Sequence, residues 1–484
     1  MEKNNFELLA DYYEFTMARA FFNNNQQDSI VYYDVFTRSH PDENGYLIFN
    51  GLERVIKNIQ NFKFEKHHID YLRETGIDDE DFLNFLLEME LNLDIWAVPD
   101  GTVVFKNEPF LTIKGPIIQA QIIETLVLLS VNYSTLVTTK ASRIVNAAQG
   151  RAIMEFGARR AQGYDASVEG ARCAVIAGCI GTSNTLAGYQ NNIPVSGTIA
   201  HSYIQMHSSE YEAFLNYAKV SPDNCVLLVD TYNTLKSGVP NAIKVAKEYL
   251  IPNGYQLKAI RLDSGDLAYL SKQCRKMLDA AGLHDTQITA SNSLDEQVIS
   301  DLIRQDAKID SFGVGENLIT SKSDAVLGGV YKMVGIEENG TIRPLIKVSE
   351  SLEKITNPGY KRLYRIYDRE SDKAIADYIA LYDEVLPTDS LYLFDEMQPW
   401  KEKTVTNYYI KELQVPIFVN GKLVYEIPTQ QEVKDYCARE LDSMWDEVKR
   451  LVNPHNYYVD LSPKLYELKH KLIKQHTEIT KEKE

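Results

Sequence analysis

Between positions 155 and 315, six short motifs each close a run rich in Val, Ile or Ala and open a segment that reads as a helix. They are Glu155-Phe156-Gly157-Ala158-Arg159-Arg160, Gly197-Thr198-Ile199-Ala200-His201-Ser202, Asp230-Thr231-Tyr232, Arg261-Leu262-Asp263-Ser264-Gly265-Asp266, Ser291-Asn292 and Gly313-Val314-Gly315. Strands alternating with helices at this spacing predict a parallel sheet with right-handed crossovers. If the sheet curls, loops from every strand share one rim at the carboxyl ends, where working residues gather. Six units fall short of a complete barrel. The expected fold is α/β, an irregular or incomplete βα barrel.

The flanks read differently. Residues 1–20 have helical spacing (Phe6, Leu9, Ala10, Tyr13, Met17), and Ile30–Phe36 is strand-like before a turn at Pro41–Gly45. Helices are expected over about 51–92, a small antiparallel sheet from 101–105 and 110–113, and a long helix over 117–148. After Leu327–Met333 the βα rhythm stops, and the rest is rich in Lys, Glu and Tyr, with a short strand at Leu391–Phe394, terminal helices and a frayed tail at Thr477–Glu484. At 484 residues one core is not enough. The expected division is an N-terminal α+β domain (1–148), the barrel (149–344) and a C-terminal α+β extension (345–484).

A net charge of −17 excludes nonspecific nucleic-acid binding, which needs a basic face. It also makes an Arg pair on the rim more telling, since a bound anion is the simplest reason to place it there. The five cysteines are scattered and form no CxxC pair, so no disulfide framework is expected. The first residues lack a basic region followed by an apolar core, and Ile117–Val137 is interrupted by Gln119, Gln121, Glu124 and Asn132. No membrane association is expected, and the compartment is expected to be the cytoplasm.

On the rim, Phe156 offers a face to a flat ring and Arg159 a bidentate grip on phosphate. Both could equally be a core Phe beside surface ion pairs. Arg261, Asp263 and Asp266 surround a tight Ser264-Gly265 step and could meet a carboxylate, sugar hydroxyls or a Mg²⁺ carried with pyrophosphate. Asp266 also suits a helix N-cap. Gly313 and Gly315 leave backbone N–H groups uncovered, as a phosphate cradle requires. His201 is open to three roles: general base, metal ligand or phosphoryl acceptor. No second His or Cys stands at ligand spacing, and His67, His68, His284, His470 and His476 read as solvated. No P-loop, no G-x-S-x-G elbow and no G-x-G-x-x-G opening a helix occurs, which disfavours an ordinary NTPase, an α/β-hydrolase and a Rossmann dehydrogenase.

Taken together these motifs resemble the nicotinate phosphoribosyltransferases, within the type II phosphoribosyltransferases. The match runs from Asp11-Tyr12-Tyr13-Glu14-Phe15-Thr16-Met17 through Gly45-Tyr46-Leu47, Pro99-Asp100-Gly101-Thr102 and the rim motifs to Gly328-Gly329-Val330-Tyr331-Lys332. The resemblance implies transfer of phosphoribose from phosphoribosyl pyrophosphate to nicotinate, with ATP and Mg²⁺ and coupled ATP hydrolysis. It implies Phe156 stacked on nicotinate, Tyr13 from the second subunit of a homodimer over the other face, and Arg261 and Thr198 at the nicotinate end. Arg159, Asp263 and Asn292 would contact ribose and phosphates beside Arg160, with Gly313 and Gly315 at the 5′-phosphate. His201 would be phosphorylated by ATP. Nicotinamide-using relatives carry an Asp where this chain has Asn184, which favours nicotinate.

Two departures stand out: Glu316 where many relatives have Thr, and a C-terminal third without matching motifs. The competing readings are a nicotinamide or quinolinate phosphoribosyltransferase, disfavoured by Asn184 and by His201 respectively, and a nucleotide-binding sensor without catalysis.

Overall fold

The computed structural model describes residues 6–349 and 354–481, which form two compact units: Val137–Ala325, and a second drawn from Met1–Leu136 with Val326–Glu484. The first holds a six-stranded parallel sheet of β1 (Ala152–Glu155), β2 (Gly181–Thr182), β3 (Val226–Leu228), β4 (Ala259–Leu262), β5 (Gln287–Ser291) and β6 (Ser311–Val314). Its order is β2-β1-β6-β5-β4-β3, so the first strand pairs with the last. That is the order of a barrel cut once, between β2 and β3. The sheet does not close, and the fold is an incomplete α/β barrel.

Five of the expected strands end within two residues of their motifs. The strand expected near 198 does not form: residues 197–200 have no regular structure, and the segment contributes one parallel bridge, Thr182 to Val195. The sixth strand is the two-residue β2. Leu267–Ala280 and Glu296–Arg304 are the helices after β4 and β5, where the rim motifs open segments that read as helices. The interior around β3 and β4 is fully apolar, with Leu227, Val229, Ile260, Leu262 and Ile288 at most 1% exposed. Strands covered on both faces read as unbroken apolar runs, so this core was visible in the sequence.

In the other unit a seven-stranded antiparallel sheet contains Ile30–Thr37, flanked by Leu111–Pro116 and Gly329–Glu338. Val415–Val419 from the C-terminal third pairs with Asp94–Ala97 in the same sheet. The expected pairing of 101–105 with 110–113 is not made, because Val103–Val104 pairs with Leu47–Ile48 instead. The eight-residue strands Lys361–Asp368 and Ala374–Leu381 anchor a four-stranded sheet. There Arg365, fully buried, donates to Asp377 (2.7 Å) and Glu440 (2.8 Å) and to the Val103 carbonyl (2.6 Å).

His68 is a correction. It is 1% exposed, and its Nδ1 accepts the Glu65 N–H (3.0 Å) at the start of its own helix. All five cysteines are buried, and none is in a disulfide. Among the described residues only Ile117–Ala147 is long and apolar enough to cross a membrane, and 67% of its most apolar window is buried in the protein. The last helix runs from Pro463 to Lys481, so the expected fraying does not extend there, and residues 482–484 lie outside the described ones.

Candidate active site

The carboxyl ends of β1, β4, β5 and β6 open into a cleft of about 260 Å³. Phe156, Arg159, Arg160, Arg261, Asp263, Asn292, Gly313, Gly315 and Glu316 all line it. Four of the six motifs therefore meet.

Arg261 organises the floor. Its Nε donates to Ser291 Oγ (2.9 Å), Nη1 to Thr198 Oγ1 (3.2 Å) and Nη2 to Asp263 Oδ1 (3.0 Å). The guanidinium carbon lies 5.6 Å from the Phe156 ring centroid. A rigid planar fork can hold several oxygens at once with little loss of freedom. Ser291 also donates to Asp263 Oδ1. From the other side, Asp230 Oδ2 accepts the Asp263 N–H (2.8 Å) and the Ser264 hydroxyl (2.6 Å). Asp263 is thus fixed in both backbone and side chain. Asp266 caps the following helix by accepting the Tyr269 N–H (2.9 Å), the structural role its position predicts.

Phe156 leaves β1 on a turn held by Glu155, which is buried and accepts from Thr182 Oγ1 (2.5 Å) and the Gly157 N–H. Burial pushes the Glu155 carboxyl above its ordinary range, and those two bonds oppose the shift. The ring lies against Gly313, where a Cβ would stand 2.4 Å from two ring carbons. Asn292 and the next residue, Ser293, hold positive φ (90° and 51°), an uncommon backbone that Asn tolerates best.

His201 begins a five-residue helix, with Nδ1 3.0 Å from Thr231 Oγ1 and Nε2 3.8 Å from Asp263 Oδ2. Thr231 comes from the third rim motif, so the two remaining motifs join the same network: His201 lies beside the Asp263 carboxylate, and the third motif holds His201 through Thr231 and the Asp263 backbone through Asp230. Arg159 and Arg160 are exposed at the mouth. Glu316 is held by Lys322 (2.7 Å) and lies 3.8 Å from Arg160 Nε. The Lys322 bond pulls its carboxyl below the ordinary range, so this acid adds no unpaired charge.

Asn184 caps the helix Thr185–Asn191, accepting the Leu186 and Ala187 N–H groups (3.1 and 3.2 Å) and donating to the Ser167 carbonyl (3.1 Å). Tyr13 belongs to the other unit, 45% exposed on the helix Tyr12–Asn23. Partial burial first, then Glu124 and Glu14, push its phenol up to about 12. Sequence reasoning gave no individual role to Asp230, Thr231, Glu155, Ser291 or Lys322. The first four lie in or beside the motifs; Lys322 gave no signal.

Three family models of nicotinate phosphoribosyltransferase match the chain: the N-terminal domain over residues 8–132, the main family model over 151–359 and the C-terminal domain over 360–469. The chain is 44% identical to a nicotinate phosphoribosyltransferase of Bacillus subtilis over 94% of its length and 92% of the relative's. It is 36% identical to one of Mycobacterium tuberculosis, over 95% and 92%. The crystal structure of human nicotinic acid phosphoribosyltransferase superimposes with a TM-score of 0.84 at 26% identity, covering 96% of this chain and all of that one. Family models along most of the chain, relatives at 44% and 36% identity and the match in fold lead to one conclusion: the protein belongs to the nicotinate phosphoribosyltransferase family.

Proposed function

We propose that this chain transfers the phosphoribosyl group of phosphoribosyl pyrophosphate to the ring nitrogen of nicotinate, giving nicotinate mononucleotide and pyrophosphate in NAD salvage. ATP hydrolysis is coupled through a phosphohistidine at His201. The observation that carries this reading is the Arg261 fork beside the Phe156 ring: a cation and a flat apolar face are what an aromatic carboxylate needs.

In this reading nicotinate lies on Phe156 with its carboxylate toward Arg261 and Thr198. Tyr13 of a second copy covers the other face. The ring nitrogen then has one approach to the ribose carbon, and positioning of that kind removes a large part of the barrier. The C–O bond to pyrophosphate breaks, its electron pair leaves with the pyrophosphate oxygen, and the nitrogen lone pair forms the new C–N bond. Asp263 faces the positive charge that develops on the ribose, while Arg159 and Arg160 face the departing pyrophosphate. Asn292, Gly313 and Gly315 take the 5′-phosphate end.

Among the described residues no group of three or more His, Cys, Asp or Glu could hold a metal. The site therefore fits a Mg²⁺ that arrives on the pyrophosphate, where it would offset charge, with Asp263 and the unpartnered Oδ1 of Asp230 as the nearby acids. Thr231 engages Nδ1 of His201, which leaves Nε2 to accept the ATP phosphoryl group. Formation and hydrolysis of that phosphohistidine would shift the site between tight-binding and product-releasing states. The reaction is assigned to the cytoplasm.

Pyrophosphate release with phosphoribosyl pyrophosphate and Mg²⁺, comparing nicotinate, nicotinamide and quinolinate with and without ATP, tests the reading. Turnover is expected with nicotinate and is enhanced by ATP. His201→Ala is expected to keep basal turnover and lose the enhancement; an ATP effect that survives this change overturns the phosphohistidine. Asn184→Asp keeps the helix cap but replaces the amide N–H that donates to the Ser167 carbonyl with a charged oxygen. It is expected to raise the ratio of kcat/KM for nicotinamide over nicotinate about tenfold, the scale of one misplaced polar contact. An unchanged ratio removes Asn184 from substrate choice.

A further inference from the structure

A cavity of about 1150 Å³ opens in the C-terminal third, where no motif pointed. Its lining includes Trp445, Tyr457, Tyr458 and Asp460. Asp460, on the strand Val459–Leu461, is 3% exposed. Its carboxyl makes no hydrogen bond or ion pair with any described residue.

The other charged groups of the lining are differently placed: Glu370, Glu447, Lys401, Lys403 and His455 are exposed, and none of these cations pairs with Asp460. Asp368 accepts the Glu370 and Ser371 N–H groups (3.0 and 2.9 Å), Asp395 those of Met397 and Gln398 (2.8 and 3.0 Å), and Glu402 the Tyr392 hydroxyl. These carboxylates close turns or hold a phenol. Asp460 alone is both buried and uncommitted. A buried carboxylate without a partner is costly, and chains retain one where something else supplies the cation.

The aromatic lining points to what that is. Tyr457 is stacked on Phe105 (4.0 Å, 12°) with its hydroxyl on Asp377 (3.1 Å), and the Trp445 indole N–H donates to the Ala374 carbonyl (2.9 Å). Their polar atoms are satisfied elsewhere, so the cavity meets rings. Tyr458 and Trp445 are each 46% exposed. A lone carboxylate cannot build the several-oxygen shell a hard metal ion needs. Rings beside a carboxylate suit a flat, weakly hydrated cation.

We propose that this cavity is a second binding site that takes a flat organic cation of the pyridinium class, its charge at Asp460 and its ring against Trp445 and Tyr458. Burial, and then the Asp395 carboxylate, push the Asp460 carboxyl up to about 7, so a bound cation would draw it into the charged form.

The test titrates the full chain with 1-methylnicotinamide, by calorimetry and tryptophan quenching, against neutral nicotinamide of nearly the same shape. Saturable binding is expected, with the cation about tenfold tighter than the amide, the scale of one desolvated cation–ring contact with its counter-charge. The preference is expected to survive Phe156→Ala, which disables the cleft of the parallel sheet, and to vanish in Asp460→Asn, with nicotinate turnover kept. Tyr458→Ser, at an exposed ring, is expected to weaken the cation severalfold and covers the case in which Asp460→Asn fails to fold. Absence of binding, equal affinity for cation and amide, loss of binding in Phe156→Ala, or an unchanged preference in both cavity variants overturns the proposal.

Discussion

Arg261→Ala is expected to lower kcat/KM for nicotinate by about 10²- to 10³-fold, which corresponds to the loss of one or two charge-assisted hydrogen bonds. The direction follows from the three-way fork. Without the guanidinium, Ser291, Thr198 and Asp263 lose a shared donor, and Asp263 faces the substrate as an unpaired acid. The substrate carboxylate then meets a negative site in place of a positive one. The side chain is 19% exposed, so water replaces part of what is lost and holds the effect below that of a fully buried pair. Arg261→Lys is expected to recover little, since one ammonium on a flexible stem cannot serve three oxygens in one plane. Steady-state kinetics over nicotinate concentration, with melting temperatures to establish folding, check this. Folded Arg261→Ala enzyme within twofold of the parent would remove Arg261 from the substrate site.

The same residue shows how far the sequence could be read. Arg261 was legible as a rim residue because β4 is an apolar run that ends in a turn with Ser264 and Gly265. Of its partners, Asp263 was legible in the same turn and Thr198 only through the family resemblance, while Ser291 opened a motif without a role; hydroxyls 63 and 30 positions away leave no local sign that they share one guanidinium. His201 was found for its setting, while Thr231, which engages its Nδ1, lay in a motif read only as a strand end.

Strands failed where they were short. Gly181–Thr182 and the single bridge at Val195 carry too few residues for any period, so the second strand was placed near 198. In the C-terminal third the difficulty was charge. Lys361-Arg362-Leu363-Tyr364-Arg365-Ile366-Tyr367-Asp368 looks solvated, yet Lys361 and Arg365 are buried because Asp34, Asp377 and Glu440 wait for them. Ion pairs that close over long sequence distance leave no local pattern. His68 misled for the opposite reason: its partner is three residues away, but its neighbours are polar.

Gly313→Ala is expected to be the most damaging single methyl in the site. The sequence suggested that Gly-x-Gly bares backbone N–H groups for phosphate, and the structure adds a second demand on the first glycine. A Cβ at Gly313 would stand 2.4 Å from Cδ2 and Cε2 of Phe156, closer than real contacts allow, so the ring must move. The ring has little freedom to do so, since its backbone N–H is bound to the Val314 carbonyl (2.7 Å) and its turn is held by Glu155. Overpacking of this kind costs about 1–3 kcal/mol, and a misplaced stacking platform alone accounts for about 10²-fold in rate. A drop in kcat/KM of about 10²- to 10³-fold is therefore expected in Gly313→Ala. At Gly315 the nearest atom to a Cβ is the Phe156 carbonyl oxygen at 3.2 Å, so Gly315→Ala should cost less. The double variant decides what the glycine is for. If Gly313 serves the ring, Gly313→Ala added to Phe156→Ala changes kcat/KM by less than about threefold, because the clash is gone and the two effects are coupled. If it serves only the phosphate, the second change multiplies onto the first, and KM for phosphoribosyl pyrophosphate rises equally in both backgrounds.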